Sequence, residues 1–272
     1  MNKSPKPNLP VDVYVKASEA LYGVSGMVLF GFGKNEYSTK DRILRNFVAK
    51  SAVSLKSIFA LWELSDYQSA WVIHRTVLDR LFHLHSIGKN GEYDIFDDWS
   101  VYQQYKAQNR VKSDNAFKHQ AVGWVYELSD EQKARMELLS KNKPVWRRPN
   151  AESVAKDMGM SFLYKYGYDY ASKSVHPMSD DGQQEFYAIT GLEPAPHFPS
   201  QISVLSNSIL ASTMILNEAI NQSSFRWHKI LWDFLEQMQN MLDAGDESYN
   251  LSFAKLGTIF HSDSLCKHMN VE

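Results

Sequence analysis

At 272 residues the chain is long enough for one large domain or two small ones, with a substantial buried core. Its 44% apolar and 22% charged residues fit a soluble globular protein, and a formal net charge of −2 provides no global basic field for nucleic acid. A single cysteine, Cys266, excludes an internal disulfide or a cysteine-rich metal site.

The first ten residues hold three prolines and read as an irregular arm. They lack the apolar run of a signal peptide, and no stretch approaches ~18 uncharged apolar residues, so a cytoplasmic location without a membrane span is expected. From Val11 to Phe32 the apolar positions Val13, Ala17, Ala20, Leu21 and Val24 recur at helical spacing. A second helix is expected from Ser38 or Thr39, which caps a run with apolar residues at Ile43, Leu44, Phe47, Val48, Ala52 and Leu55. Ser65 or Asp66 caps a third, expected to stop at Gly88, and the short turn between them predicts antiparallel packing.

Further helices are expected over about 91–113, from a Ser129/Gln132 capping box, over 150–159 and over 161–175. Two long ones follow near 199–221 and 224–243, then a tail, 246–272, with one short turn around 250–260. No alternating strand pattern occurs. The expected fold is all-α: a multi-helix bundle of antiparallel helical hairpins forming a single domain over 11–245.

Two regions carry candidate chemistry. On the third helix Arg75, Asp79, His83 and Ser86 form one ridge, where a guanidinium beside a carboxylate provides the partner that a half-buried charge requires. The same helix holds Arg80 and His85, an R-x4-H match whose members lie ~140° apart on a continuous helix. Near 168–177 the sequence reads YDYASKSVHP. Tyr168, Ser172 and His176 fall on one helical face, with Asp169 beside them, and Pro177 ends the helix at His176. A histidine at that end is favoured as the imidazolium by the helix dipole and suits general acid or base work. In KPVWRRPN, Trp146 flanked by Arg147 and Arg148 offers a stacking ring with two cations, the pattern of a nucleic-acid contact, although such a loop also serves as a solvated surface with one anchoring aromatic. No metal-ligand spacing, phosphate loop or dinucleotide fingerprint is present, and no cofactor is expected.

The run from Trp146 to Pro177, WRRPNAESVAKDMGMSFLYKYGYDYASKSVHP, resembles the bacterial family DUF5677, in which a Tyr-rich helix closes in S-x-x-V-H. Ser172, Val175 and His176 match that ending, and Arg75 to Asp79 is similar to the family's R-x-x-x-E helix with aspartate in place of glutamate. The resemblance covers the layout of about 40–220. It implies an all-α fold in which the arginine and histidine helices face one another. Family members commonly carry an arginine where this chain has Asp169, giving the R-x6-H spacing of HEPN-like ribonucleases.

Two functions are therefore expected. One is a HEPN-like metal-independent ribonuclease, a toxin or antiphage defence effector acting on RNA. It would be a homodimer held in check or switched on by a protein partner, with His176, Arg75, Asp79 and Ser172 as its catalytic set. The other is a non-catalytic helical interaction or assembly protein in which the same residues form a structural network.

Overall fold

The computed structural model describes residues 9–33, 38–116, 129–176, 178–194, 197, 200–223 and 228–268. Most of the N-terminal arm, the separator at 34–37, Pro177, residues 224–227 of the second-last expected helix and the side chain of Cys266 lie outside the described residues. In chain order the elements are α1 (Val11–Phe32), α2 (Thr39–Glu63), α3 (Tyr67–Asn90), α4 (Tyr93–Ser113), α5 (Asp130–Lys141) and α6 (Ala151–Asp157). A π-helical segment (Leu163–Asp169) runs into α7 (Tyr170–Lys173), followed by α8 (Gln183–Thr190), α9 (Ser203–Asn221), α10 (His228–Ala244) and α11 (Tyr249–His268). No strand occurs among the described residues, so the fold is all-α.

Capping residues set several helix starts. Ser38 accepts from the Asp41 N–H, Asp66 from Ser69 and Asn150 from Ser153, and Ser129 and Gln132 form a reciprocal capping box. The helix stop expected at Gly88 lies further on: α3 continues to Asn90 and Gly91 closes it in the left-handed region, with φ 68°. A Cβ at Gly88 would meet the end of the Gln222 side chain, whose amide would have to shift.

The centre consists of α2, α3 and α9 packed on one another. α9 is buried almost all round, from Val204 to Ile220, which is the pattern of a helix enclosed by its neighbours rather than lying on a surface. Small polar residues let the backbones approach, as where the Ser51 hydroxyl donates to Ser212 across α2 and α9 at 3.3 Å. α1 covers α2 and α9, and α10 and α11 close that side. On the opposite flank α4 rests on α2 and holds α5, while α6, the π segment and α7 lie along α3. Where one short turn was expected in the tail, α11 is a full helix of 20 residues whose Tyr249, Ser252 and Leu256 are buried. Phe253 packs on the core beside them and Phe260 meets Phe30 of α1, so the contacts are spread along the helix rather than set in a continuous apolar stripe.

One charged cluster secures the outer flank. Asp97, 6% exposed, accepts from Arg42 of α2 at 2.7 Å and from Arg135 of α5 at 2.8 Å, and Arg135 also reaches Asp98 at 2.5 Å. Burial alone would raise the Asp97 pKa, but the hydrogen bonds and charges of the two arginines outweigh it and hold the carboxyl below its ordinary value. A depressed carboxylate stabilises the fold above its unfolded pKa, and that stability disappears as pH falls through the lower native value. Asp97→Asn is accordingly expected to lower stability by about 1–3 kcal/mol at neutral pH, with a smaller loss below pH ~4, as read from urea midpoints.

Candidate functional site

Along α3 the polar side chains point into neighbouring elements at almost every turn. Arg75 is the most heavily engaged. Its Nε donates to Ser172 Oγ at 3.1 Å, one terminal nitrogen to Asp79 Oδ2 at 2.5 Å, and the other to the Tyr168 hydroxyl at 2.6 Å. The guanidinium also lies 4.3 Å from the centre of the Tyr168 ring. Ser172 passes its own proton to the Tyr168 carbonyl at 2.7 Å, which ties the clamp to the backbone beneath it. Burial raises the Tyr168 phenol above its ordinary pKa, with the Asp79 charge adding to it and Arg75 opposing, so the hydroxyl stays protonated.

The facing strip is π-helical and lies close against α3. At Gly167 a Cβ would come within 2.8 Å of Leu78 Cδ1 and 3.4 Å of His74 Nε2, so a side chain there would require the Leu78 side chain to shift. The wider turn brings Tyr168 and Ser172 to the same guanidinium. Sequence spacing gives the Arg75–Asp79 ridge and the Tyr168–Ser172 face separately, the resemblance implies that their helices face one another, and in the structure all four residues meet.

His176 is outside that group. α7 ends at Lys173, a turn covers Ser174 and Val175, and His176 follows as an exposed residue without a hydrogen bond among the described residues. The helix expected to run to His176 stops three residues earlier, so the histidine no longer occupies the helix end whose dipole would favour its charge. Asp169 is likewise exposed.

The remaining candidates have structural partners. His83 Nδ1 bonds the Asp79 carbonyl at 2.5 Å and its ring lies 5.6 Å from that of Trp146. Burial draws its pKa below the ordinary value, with the Arg148 charge adding to this and Asp79 opposing. Arg80 reaches Ser54 and Thr76, both at 3.3 Å. His85 lies between Glu218 at 2.8 Å and Asp157 at 3.2 Å, and Lys89 completes that row on Asp157 at 2.5 Å. Arg80 and His85 therefore point to different neighbours and do not form a joint site.

The base-stacking role expected of Trp146 is corrected: the ring is only 8% exposed and packs against Phe96 and Trp99, both at 4.9 Å, while Nε1 donates to Glu92. It anchors its loop to the core and leaves Arg147 and Arg148 exposed, the latter 5.9 Å from the Trp99 ring. Among the described residues no group of three or more His, Cys, Asp or Glu is placed to hold a metal ion.

One residue of this region was not selected from the sequence. His74 is fully buried, with Nδ1 2.9 Å from Ser208 Oγ and Nε2 without a hydrogen-bond partner. The signal was available, since Ala70, Trp71, His74, Val77, Leu78 and Leu81 form the core-facing stripe of α3. Burial brings its pKa down to about 3, so the imidazole is neutral. A cavity of about 350 Å³ opens one turn away and is bordered by Trp71, Tyr170, Lys173 and Gln201.

Two expectations follow. Arg75→Lys retains the charge but replaces a planar three-way donor with a point ammonium; a loss of about 1–2 kcal/mol is expected in thermal melts, with Arg75→Ala losing more. For His74, the unfolded chain binds a proton below pH ~6.5 and the native chain does not, so stability falls with decreasing pH from ~6.5 towards 3 by about 1.4 kcal/mol per unit. In His74→Gln that slope between pH 6.5 and 4.5 is expected to flatten in urea titrations.

No match was found among curated proteins or among solved structures. A family profile described as a family of unknown function, DUF5677, matches residues 41–186, more than half of the chain, and spans both the Arg75 helix and the strip that carries Tyr168 and Ser172. The chain belongs to the DUF5677 family.

Proposed function

We propose that this protein is a non-catalytic helical interaction module in which the Arg75 clamp is structural. The observation that carries this reading is how Arg75 is engaged: each of its three guanidinium nitrogens already has a protein acceptor, and the ring of Tyr168 covers one face. A catalytic arginine stabilises charge that develops on a substrate, which requires donors aimed at the reacting centre. Here the donors hold α3 to the π segment. A second observation supports binding. α8 buries none of its residues and leaves Phe186 and Ile189 exposed, an apolar surface of the kind that marks contacts with other macromolecules.

The ribonuclease reading has its own support in the exposure of His176, four residues after Ser172. In that mechanism His176 would move a proton to or from a ribose or leaving oxygen, and Arg75 would exchange a protein partner for phosphate. The two readings separate in one experiment. Purified wild type incubated with labelled single-stranded RNA is expected to leave it intact, and His176→Ala to melt at the wild-type temperature. RNA cleavage that disappears in a folded His176→Ala variant would overturn the non-catalytic reading.

A further inference from the structure

The chain is slightly acidic overall, yet one groove concentrates its cations. Between α4 and the end of α5 a cavity of about 640 Å³ is lined by Tyr102, Tyr105, Lys106, Asn109, Arg110, Lys112, Ser113, Ser140 and Lys143. It brings four cations together, and no carboxylate is among its described lining residues. The adjacent Asp114 instead accepts from the Ala116 backbone at 2.8 Å. Ion pairs elsewhere on the surface, such as Lys16–Asp12, Lys89–Asp157 and Lys133–Asp130, have no counterpart at these four positions among the described residues.

The helix dipole accounts for part of this charge, because Arg110 and Lys112 occupy the last turn of α4. It does not account for Lys106, which is further from that end, for Lys143, which follows α5, or for the tyrosines. On α4 the residues 102, 105, 106, 109, 110 and 113 recur at three- and four-residue spacing, so they share one face. That face alternates rings, cations and an amide. Lys106 Nζ lies 5.7 Å from the centre of the Tyr102 ring, and Tyr105 has no ring or cation partner among the described residues.

We infer that this groove binds a single-stranded polynucleotide. The cations suit phosphates, the tyrosine rings suit unstacked bases, and the Asn109 amide and the serine hydroxyls suit base edges and sugar oxygens. An acidic peptide would use the charges and leave the rings unused. Trp99, one turn before Tyr102, carries Arg148 against its ring, and Arg147 stands beside it.

The inference deepens the reading of the chain as an interaction module by giving the partner's chemistry. Fluorescence anisotropy of the full chain with a labelled oligouridylate of twelve nucleotides provides the test, across 50–200 mM KCl. Wild type is expected to bind with a salt dependence that reports neutralised phosphates, and Lys106→Glu/Arg110→Glu to weaken binding by about tenfold or more and flatten the salt slope. Tyr105→Ala is expected to weaken it by about fivefold or more through lost stacking. Lys16→Glu, a change of the same charge on α1, is expected to have no comparable effect.

Circular dichroism verifies that each variant is folded, and Lys143→Glu, outside any helix, repeats the charge reversal where helix stability is not at issue. The inference is overturned if wild type fails to bind, if both groove charge reversals bind as wild type does, or if polyglutamate or phosphatidylserine vesicles compete better than unlabelled oligouridylate. Gel analysis of the same samples separates the two readings. Cut RNA sinks the non-catalytic reading alone, whereas intact and unbound RNA sinks the groove alone.

Discussion

A helix covered from two sides has no water for its polar groups, so each donor and acceptor must be met by protein. This constraint shapes the molecule around α3. α2 and α9 take one side of it, and α6, the π segment and α7 take the other. Successive turns of α3 then carry His74 to Ser208, Arg75 to Tyr168 and Ser172, Arg80 to Ser54, and His85 to Glu218 and Asp157. Because these partners belong to five different elements, the polar residues of one helix fix where the rest sit. Apolar burial drives the collapse, but α6 and α7 bury too little to choose their own place. α6 contributes only Val154 and Ala155, and α7 only Ala171.

The Arg75 clamp illustrates what such contacts supply. A partly exposed guanidinium gains little net free energy from a carboxylate, since desolvation offsets most of the attraction. Its value is directional. Three donors held in one rigid plane meet their acceptors in only one arrangement, so the clamp selects one register of the π segment and α7 against α3. The Asp97 cluster has the same role on the other flank, where it joins α2, α4 and α5 through a single buried carboxylate.

Helix identity was legible in the sequence wherever apolar spacing and a capping residue coincided, as at Ser38, Asp66, Ser129 and Asn150. The ridge of Arg75 and Asp79 and the Tyr168–Ser172 face were also legible, because both follow from the helical repeat alone. Three features were not. α8 has no buried face to create a pattern, and α11 buries too few positions to show one. The groove on α4 was hidden by a third cause. Its cations are spread over Lys106, Arg110, Lys112 and Lys143, so no short motif announces them, while the compact KPVWRRPN motif drew attention to a tryptophan that the core had claimed.

The π segment has one more consequence, for the family rather than for this molecule. Because the π segment runs into α7 without a break, inserting or removing a residue between Tyr168 and Ser172 would rotate Ser172 and everything after it by about 100°. Ser172 would then leave Arg75 even though no contact residue had changed. In an exposed loop such a length change is absorbed, but here it is transmitted along a continuous rod. The spacing between Gly167 and Ser172 is therefore as much a part of the clamp as the side chains, and two family members could share every clamp residue and still differ in whether the clamp closes.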